Sequence, residues 1–216
     1  MTIFCYDTEF LEDGNTIELI SIGIVGEDGR EYYAVNSEAP IDRIKVPGPG
    51  HEWMIRNVLP HLPVDNRSIL DDYLAHAENR YPKPSISLVD LDRTSPLVKP
   101  KWVIANEVRE FLLDGYVPAG TAGITDADTP IGSAPELWAY YAAYDHVVLA
   151  QLWGRMAALP SGIPMYTHDV KQEMDRLGLT SNAVPKPANA HDALADARWN
   201  LAMLTKLRQH DPAKSN

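Results

Sequence analysis

The sequence predicts an α/β domain built on a mixed sheet. Three observations predict it: an apolar β-meander fills the first 36 residues, strand-then-helix units recur in the second half, and apolar residues between them fall at helical spacing. With 216 residues the chain can bury a substantial core, and residues 1–216 are expected to form one domain.

Each element follows from local pattern. Ile3-Phe4-Cys5-Tyr6 is apolar and β-prone, and Asp13-Gly14 marks a turn. Residues 17–25 are almost continuously apolar, as in a strand covered on both faces. Asp28-Gly29 makes the next turn and residues 32–35 a third strand, so three antiparallel strands come first. Residues 40–100 are broken by repeated prolines, with short helices expected near 52–58 and 67–78. Val103, Ile104, Val108, Phe111 and Leu112 describe an amphipathic helix over 103–113, and residues 115–135 a surface loop. A strand is expected over 137–143, followed by a helix opening at Tyr144-Asp145 with Leu149, Leu152, Trp153 and Met156 on one face. A short strand near 165–167 leads to a helix capped by Asp169 and stopped by Gly178. The last helix covers 192–207, with Leu194, Ala197, Leu201 and Leu204 as its buried stripe. The sheet so predicted has five strands, three antiparallel and then two parallel.

Composition excludes several classes of protein. A single cysteine, Cys5, rules out an internal disulfide and a cysteine-based zinc site, and fits a reducing compartment. The N-terminus has no basic stretch before an apolar run, and no apolar run approaches the roughly 18 residues that span a bilayer. A cytoplasmic, soluble protein is expected. The net charge of −11 argues against a broad basic face for gripping long duplexes. A nucleic-acid substrate would have to be held locally, at an end.

Chemistry is suggested at three places. In Asp7-Thr8-Glu9-Phe10 the two carboxylates lie two residues apart on a strand, so they share a face about 7 Å apart. Neighbouring carboxylates repel, and a proton or a cation must relieve them. Oxygen ligation favours a hard ion such as Mg²⁺ or Mn²⁺. Taken alone, the pair also reads as a solvated strand end. Asp145 sits at a strand-to-helix junction, where an aspartate commonly caps, although ligands also gather at such junctions in α/β sheets. In His191-Asp192-Ala193-Leu194-Ala195-Asp196, Asp192 suits a cap and Asp196 the first helical turn, where the helix dipole favours an anion. Histidine titrates near neutrality and is the natural side chain to take a proton from water.

Together these motifs resemble the DEDDh 3′→5′ exonucleases: Asp-x-Glu on a first strand, an isolated Asp before a mid-chain helix, and His-x4-Asp opening a late one. Asp7-Thr8-Glu9-Phe10, Tyr144-Asp145 and His191 to Asp196 stand in that order and span most of the chain. The opening Asp-Thr-Glu-Phe-Leu-Glu-Asp-Gly and closing His-Asp-Ala-Leu-Ala-Asp-Ala-Arg-Trp-Asn are similar to the actinobacterial polyadenylate-specific 3′-exoribonuclease type. The chain departs from the family order in its long proline-broken region, which stands where a helix follows the meander.

The resemblance implies a ribonuclease H-like fold and hydrolysis assisted by two divalent ions, about 3.5–4 Å apart in such sites. Asp7 would bridge them, Glu9 and Asp196 would hold the first, Asp145 would support the second, and His191 would be the base. Thr8 and Glu9 would lie near the terminal 3′-hydroxyl and Phe10 would stack on the base. The substrate would be single-stranded RNA or an RNA 3′ overhang, the product a nucleoside 5′-monophosphate, and the assembly a homodimer. Lys99, Lys101, Arg56, Lys171 and Lys186 are candidate phosphate contacts. A DNA exonuclease and a noncatalytic nucleic-acid-binding module remain the competing readings.

Overall fold

A computed structural model of the chain describes residues 1–126 and 128–211. Its centre is a mixed sheet of strands β1 (Thr2–Glu12), β2 (Ile17–Gly26), β3 (Glu31–Asn36), β4 (Val98–Lys99), β5 (Pro135–Ala139) and β6 (His168–Asp169), in the order β4-β3-β2-β1-β5-β6. The meander is antiparallel, and β5 and β6 add in parallel beyond β1. The tight β1–β2 connection is held by Asp13, whose carboxylate accepts from the Asn15 and Thr16 N–H groups at 3.0 and 2.7 Å.

The sheet has six strands where five are expected. The extra one, β4, pairs in parallel with β3 at Val35–Val98 and Asn36–Lys99. Two residues carry no alternation, so no pattern announces it. The predicted strand over 137–143 ends earlier, at Ala139, and the one near 165–167 lies at His168–Asp169.

Helices cover both faces. Phe4 and Tyr6 of β1, with Ile22 and Ile24 of β2, pack under α4 (Lys101–Leu113) and α5 (Ala143–Ala150) through Ile104, Val108 and Leu149. On the other face, Ile3 and Cys5 meet Leu204 of α7 (Ala193–His210). At Gly23 a Cβ atom would sit 2.4 Å from the Ala193 carbonyl, so only glycine lets the start of α7 lie directly on β2. The stripe predicted for α7 is half right. Ala197 and Leu204 are buried, whereas Leu194 and Leu201 are half-buried, and Trp199, Asn200, Met203 and Leu207 complete the covered face.

The proline-broken region builds a cover of its own. Helices α1 (Ile41–Lys45), α2 (His51–Asn57) and α3 (Arg67–Ala75) bury Ile44, Ile55 and Leu70, and the connection after α3 buries Leu91, against Leu11, Ile20 and Val35 of the sheet. Each such buried aliphatic contributes about 2 kcal/mol. Prolines are tolerated because they fall at boundaries: Pro40 precedes α1 and Pro100 precedes α4, positions where no helical N–H is lost.

The helix predicted after Asp145 is shorter than its apolar stripe. It ends at Ala150, continues as a 3-10 turn to Trp153 and stops at Gly154, whose φ is 88°. Leu149 and Leu152 are buried, but Met156 lies beyond the stop and is exposed. The helix α6 (Val170–Leu177) matches its prediction: Asp169 accepts from the Lys171 and Gln172 N–H groups, and Gly178 ends it in the left-handed region. Among the described residues no helix is long and apolar enough to cross a membrane.

Candidate active site

The site forms where β1 outruns its neighbour. β5 pairs with β1 only from Thr2 to Cys5, while β1 continues to Glu12. Asp7-Thr8-Glu9-Phe10 therefore lies inside the strand, not at its end. The backbone groups left without a strand partner are taken by side chains. The Tyr6 carbonyl accepts from Asn200 Nδ2 at 3.0 Å, and the Thr8 N–H donates to Asp145 Oδ1 at 2.8 Å. Pleating sends Asp7 and Glu9 to one face and Thr8 and Phe10 to the other.

Asp145 is not the cap that its position suggests. The helix α5 begins at Ala143, after Ala142, and Asp145 falls in its first turn, buried. Its Oδ1 takes a second bond, from the Thr8 hydroxyl at 2.7 Å. Both Thr8 donors are thereby used, so any further contact from Thr8 would be made as an acceptor. The chain enters α5 through Ala142, whose N–H donates to Asp169 Oδ2 at 3.1 Å.

The third motif is folded back on itself. Asp192 caps α7 by accepting from the Ala195 N–H at 3.0 Å. His191 has a φ of 71°, a left-handed conformation that costs a non-glycine residue about 1 kcal/mol. Its N–H donates to Asp196 Oδ2 at 2.7 Å. The turn aims the His191 ring inward, edge-on to Trp53 of α2 with ring centres 4.7 Å apart.

These residues converge. One ligand atom each of Glu9, His191 and Asp196 lies within 4.8 Å of the others, a spacing one ion can bridge after small rotations. Asp7 and Asp145 line the same cavity, of about 610 Å³. Burial, then the charges of Asp145, Glu9 and Asp196, hold the Asp7 carboxyl well above the usual range. Burial, then Asp196 and Asp145, does the same to Glu9. Burial raises Asp145 to about 6 against the lowering effect of the two Thr8 bonds. Buried carboxylates that destabilise one another's charge call for a cation, and their all-oxygen donor set suits a hard divalent ion. His191 is close enough to Glu9 and Asp196 to serve beside such an ion as a base or as a ligand.

Further side chains complete the walls. Trp53 and Met54 come from the proline-broken region, Tyr140, Tyr141 and Tyr144 from the β5–α5 junction, and Lys186, Trp199 and Asn200 from the last loop and α7. Phe10 stacks on Tyr144, 5.9 Å between centres and 10° between planes. The sequence carries no signal for Trp53, because its approach depends on how the region 40–100 folds across the sheet. For Asn200 a signal existed: a polar residue on the covered face of an otherwise apolar helix.

The candidate phosphate contacts separate clearly. Arg56 is spent on Glu52 and on the Leu74 and His76 carbonyls, Lys99 on Glu107, and Lys171 on Asp175. Lys101 lines an adjoining cavity. Lys186 alone of the five lines the cavity that holds the carboxylates.

No protein-family profile matches the chain. Two curated proteins of Mycobacterium tuberculosis, from strains CDC 1551 / Oshkosh and ATCC 25618 / H37Rv, are each 37% identical to it over 211 residues, covering 97% of this chain and 95% of theirs. Both are named 3′-5′ exoribonucleases. At that identity over nearly the whole length of both proteins, the chain belongs to the family of these mycobacterial 3′-5′ exoribonucleases.

Proposed function

We propose that the protein is a metal-dependent 3′→5′ exoribonuclease of the DEDDh type, releasing nucleoside 5′-monophosphates from single-stranded RNA ends or overhangs. The observation that carries this reading is the meeting of Asp7, Glu9, Asp145, Asp196 and His191, drawn from three separate elements, in one cavity. The named activity of the mycobacterial relatives supports the reaction class. The meander followed by parallel strands, with helices on both faces, supports a ribonuclease H-like fold.

Asp7, Glu9 and Asp196, with Asp145 supported by Thr8, would hold two Mg²⁺ or Mn²⁺ ions. Such ions neutralise charge on the phosphodiester and make water acidic enough to ionise near neutral pH. His191 takes the proton from the attacking water, its ring held between Trp53 and the carboxylates. Glu9 and the Thr8 carbonyl face the terminal 3′-hydroxyl. Phe10, backed by Tyr144, offers a flat surface to the terminal base. Water attacks the last phosphodiester, the bond to the 3′-oxygen breaks, and the chain leaves one nucleotide shorter. The adenylate preference and the homodimer rest on the motif resemblance alone.

Product analysis tests this on poly(A), mixed-sequence RNA and DNA, each 3′-labelled and incubated with Mg²⁺. Release of labelled nucleoside 5′-monophosphate from the RNAs, stopped by EDTA, is expected. Preferential cleavage of DNA would replace the substrate, and EDTA-insensitive binding without release would replace the enzyme with a binding module.

A further inference from the structure

Four carboxylates in one cavity pose a problem for an enzyme of net charge −11 whose substrate is a polyanion. Divalent ions would neutralise the carboxylates, and a charged donor to the phosphate would have to come from a lysine or arginine of the cavity wall. Among the described residues that line the cavity, Lys186 is the one lysine or arginine.

Lys186 is held unlike an ordinary surface lysine. Its ammonium nitrogen lies 3.5 Å from the centre of the Trp199 ring and 4.9 Å from that of Tyr140. Its backbone stands between Pro185 and Pro187, each with φ fixed by its ring. The loop is tied down by Trp199, whose Nε1–H donates to the Val184 carbonyl at 3.1 Å. One tryptophan therefore anchors the loop and carries the cation. Among the described residues, Lys186 has no ion-pair partner within 4.0 Å. Asp196 and Asp7 act on it only at longer range. Aromatic faces stabilise a cation without cancelling its charge, whereas a carboxylate in contact would have cancelled it. The result is a positioned positive charge with its hydrogen-bond donors still available.

We propose that Lys186 is the phosphate-holding side chain of this site, donating to a non-bridging oxygen of the terminal nucleotide's phosphate from its seat on Trp199 and Tyr140. The proposal rests on the exonuclease reading for its substrate. In the cation-free protein the same ammonium serves as a partial counter-charge to Asp7 and Asp196. Divalent ions would relieve it of that part and leave it to the phosphate.

The test compares adenosine 5′-monophosphate with adenosine, two probes that differ only in the phosphate. Their affinities are measured by calorimetry on the full chain with Mn²⁺, for the wild type, Lys186→Met, Lys186→Gln and Lys186→Arg. Loss of one charge-assisted hydrogen bond predicts monophosphate binding weaker by about 10- to 100-fold in Lys186→Met and Lys186→Gln, with adenosine changed less than about twofold. Lys186→Arg should recover most of the loss. Mn²⁺ affinity without nucleotide should hold or tighten, because a competing cation has been removed. Equal weakening of both probes would make Lys186 a packing residue and overturn the proposal, as would unchanged monophosphate affinity or a weaker Mn²⁺ site. A wild type that releases nothing from RNA would end the exonuclease reading, while the comparison of the two probes would still decide the role of Lys186.

Discussion

Thr8 donates twice to a single oxygen of Asp145, through its backbone N–H at 2.8 Å and its hydroxyl at 2.7 Å. The pair joins the middle of β1 to the first turn of α5 and fixes one carboxylate against the others. Both bonds fall on Oδ1, so they set the orientation in which the carboxylate is presented to the cavity. Thr8→Val, which keeps the shape and the N–H but removes the hydroxyl, should lower the apparent Mn²⁺ or Mg²⁺ affinity by about tenfold. Nucleotide release measured across a metal titration checks it, and an unshifted midpoint would reduce the hydroxyl to a packing role.

Asp7, Glu9 and Asp145 all have raised pKa values, by burial first and by mutual charge or nearby acids after it. A carboxyl that binds its proton more tightly folded than unfolded stabilises the fold fully below its unfolded pKa. That stability is lost as pH rises through the folded pKa. For Asp145 the window runs from 3.8 to about 6, and Asp7 and Glu9 act in the same direction. The cation-free protein should therefore melt at lower temperature at about pH 7.5 than at about pH 5. Saturating Mn²⁺ should restore about 5–10 °C at the higher pH and little at the lower, where protons already occupy the carboxyls. Scanning calorimetry with and without Mn²⁺ decides it; a Mn²⁺ effect independent of pH would contradict the shared-charge account.

The left-handed backbone of His191 gives a different signature. His191→Gly removes the ring and relieves the strained conformation together, so activity should fall by about 10²- to 10⁴-fold while the melting temperature does not drop. His191→Asn separates the two possible roles. Mn²⁺ affinity close to the wild type alongside a large loss of rate marks a base, whereas a parallel loss of affinity marks a ligand.

Gly23 tests the approach of α7 to the sheet. A methyl group there meets the Ala193 and Leu194 backbone at 2.4 Å, so Gly23→Ala must push the start of the helix outward. A destabilisation of about 1–3 kcal/mol is expected, together with reduced activity, since Asp196 and the bond from the His191 N–H move with that turn. Urea melts and rate measurements on the same preparation check both; full activity with full stability would mean that the contact yields freely.

Much of this architecture is legible in the sequence, for identifiable reasons. Residues 17–25 announce a strand because both faces of β2 are covered, and Asp169 and Gly178 announce α6 because caps are local chemistry. Asp7, Glu9, Asp145, His191 and Asp196 are singled out by the resemblance of their motifs to the DEDDh exonucleases, and the fold brings the five to one cavity. What is not legible depends on contacts distant in sequence. β4 is two residues long and exists by pairing with β3. Asp145 reads as a cap until Thr8, 137 positions earlier, is seen to hold it. Trp53 reaches the cavity only through the packing of α1 to α3 on Leu11, Ile20 and Val35.

With divalent ions bound, the convergent carboxylates should support hydrolysis of RNA from its 3′ end. The most direct measurement follows 3′-terminal nucleotide release from single-stranded RNA by the wild type and by Asp7→Ala, with Mg²⁺ and with EDTA, alongside thermal melts. The wild type should release nucleoside 5′-monophosphates with Mg²⁺ and none with EDTA, and Asp7→Ala should release none while still melting cooperatively. Undiminished release by a folded Asp7→Ala protein would contradict the account.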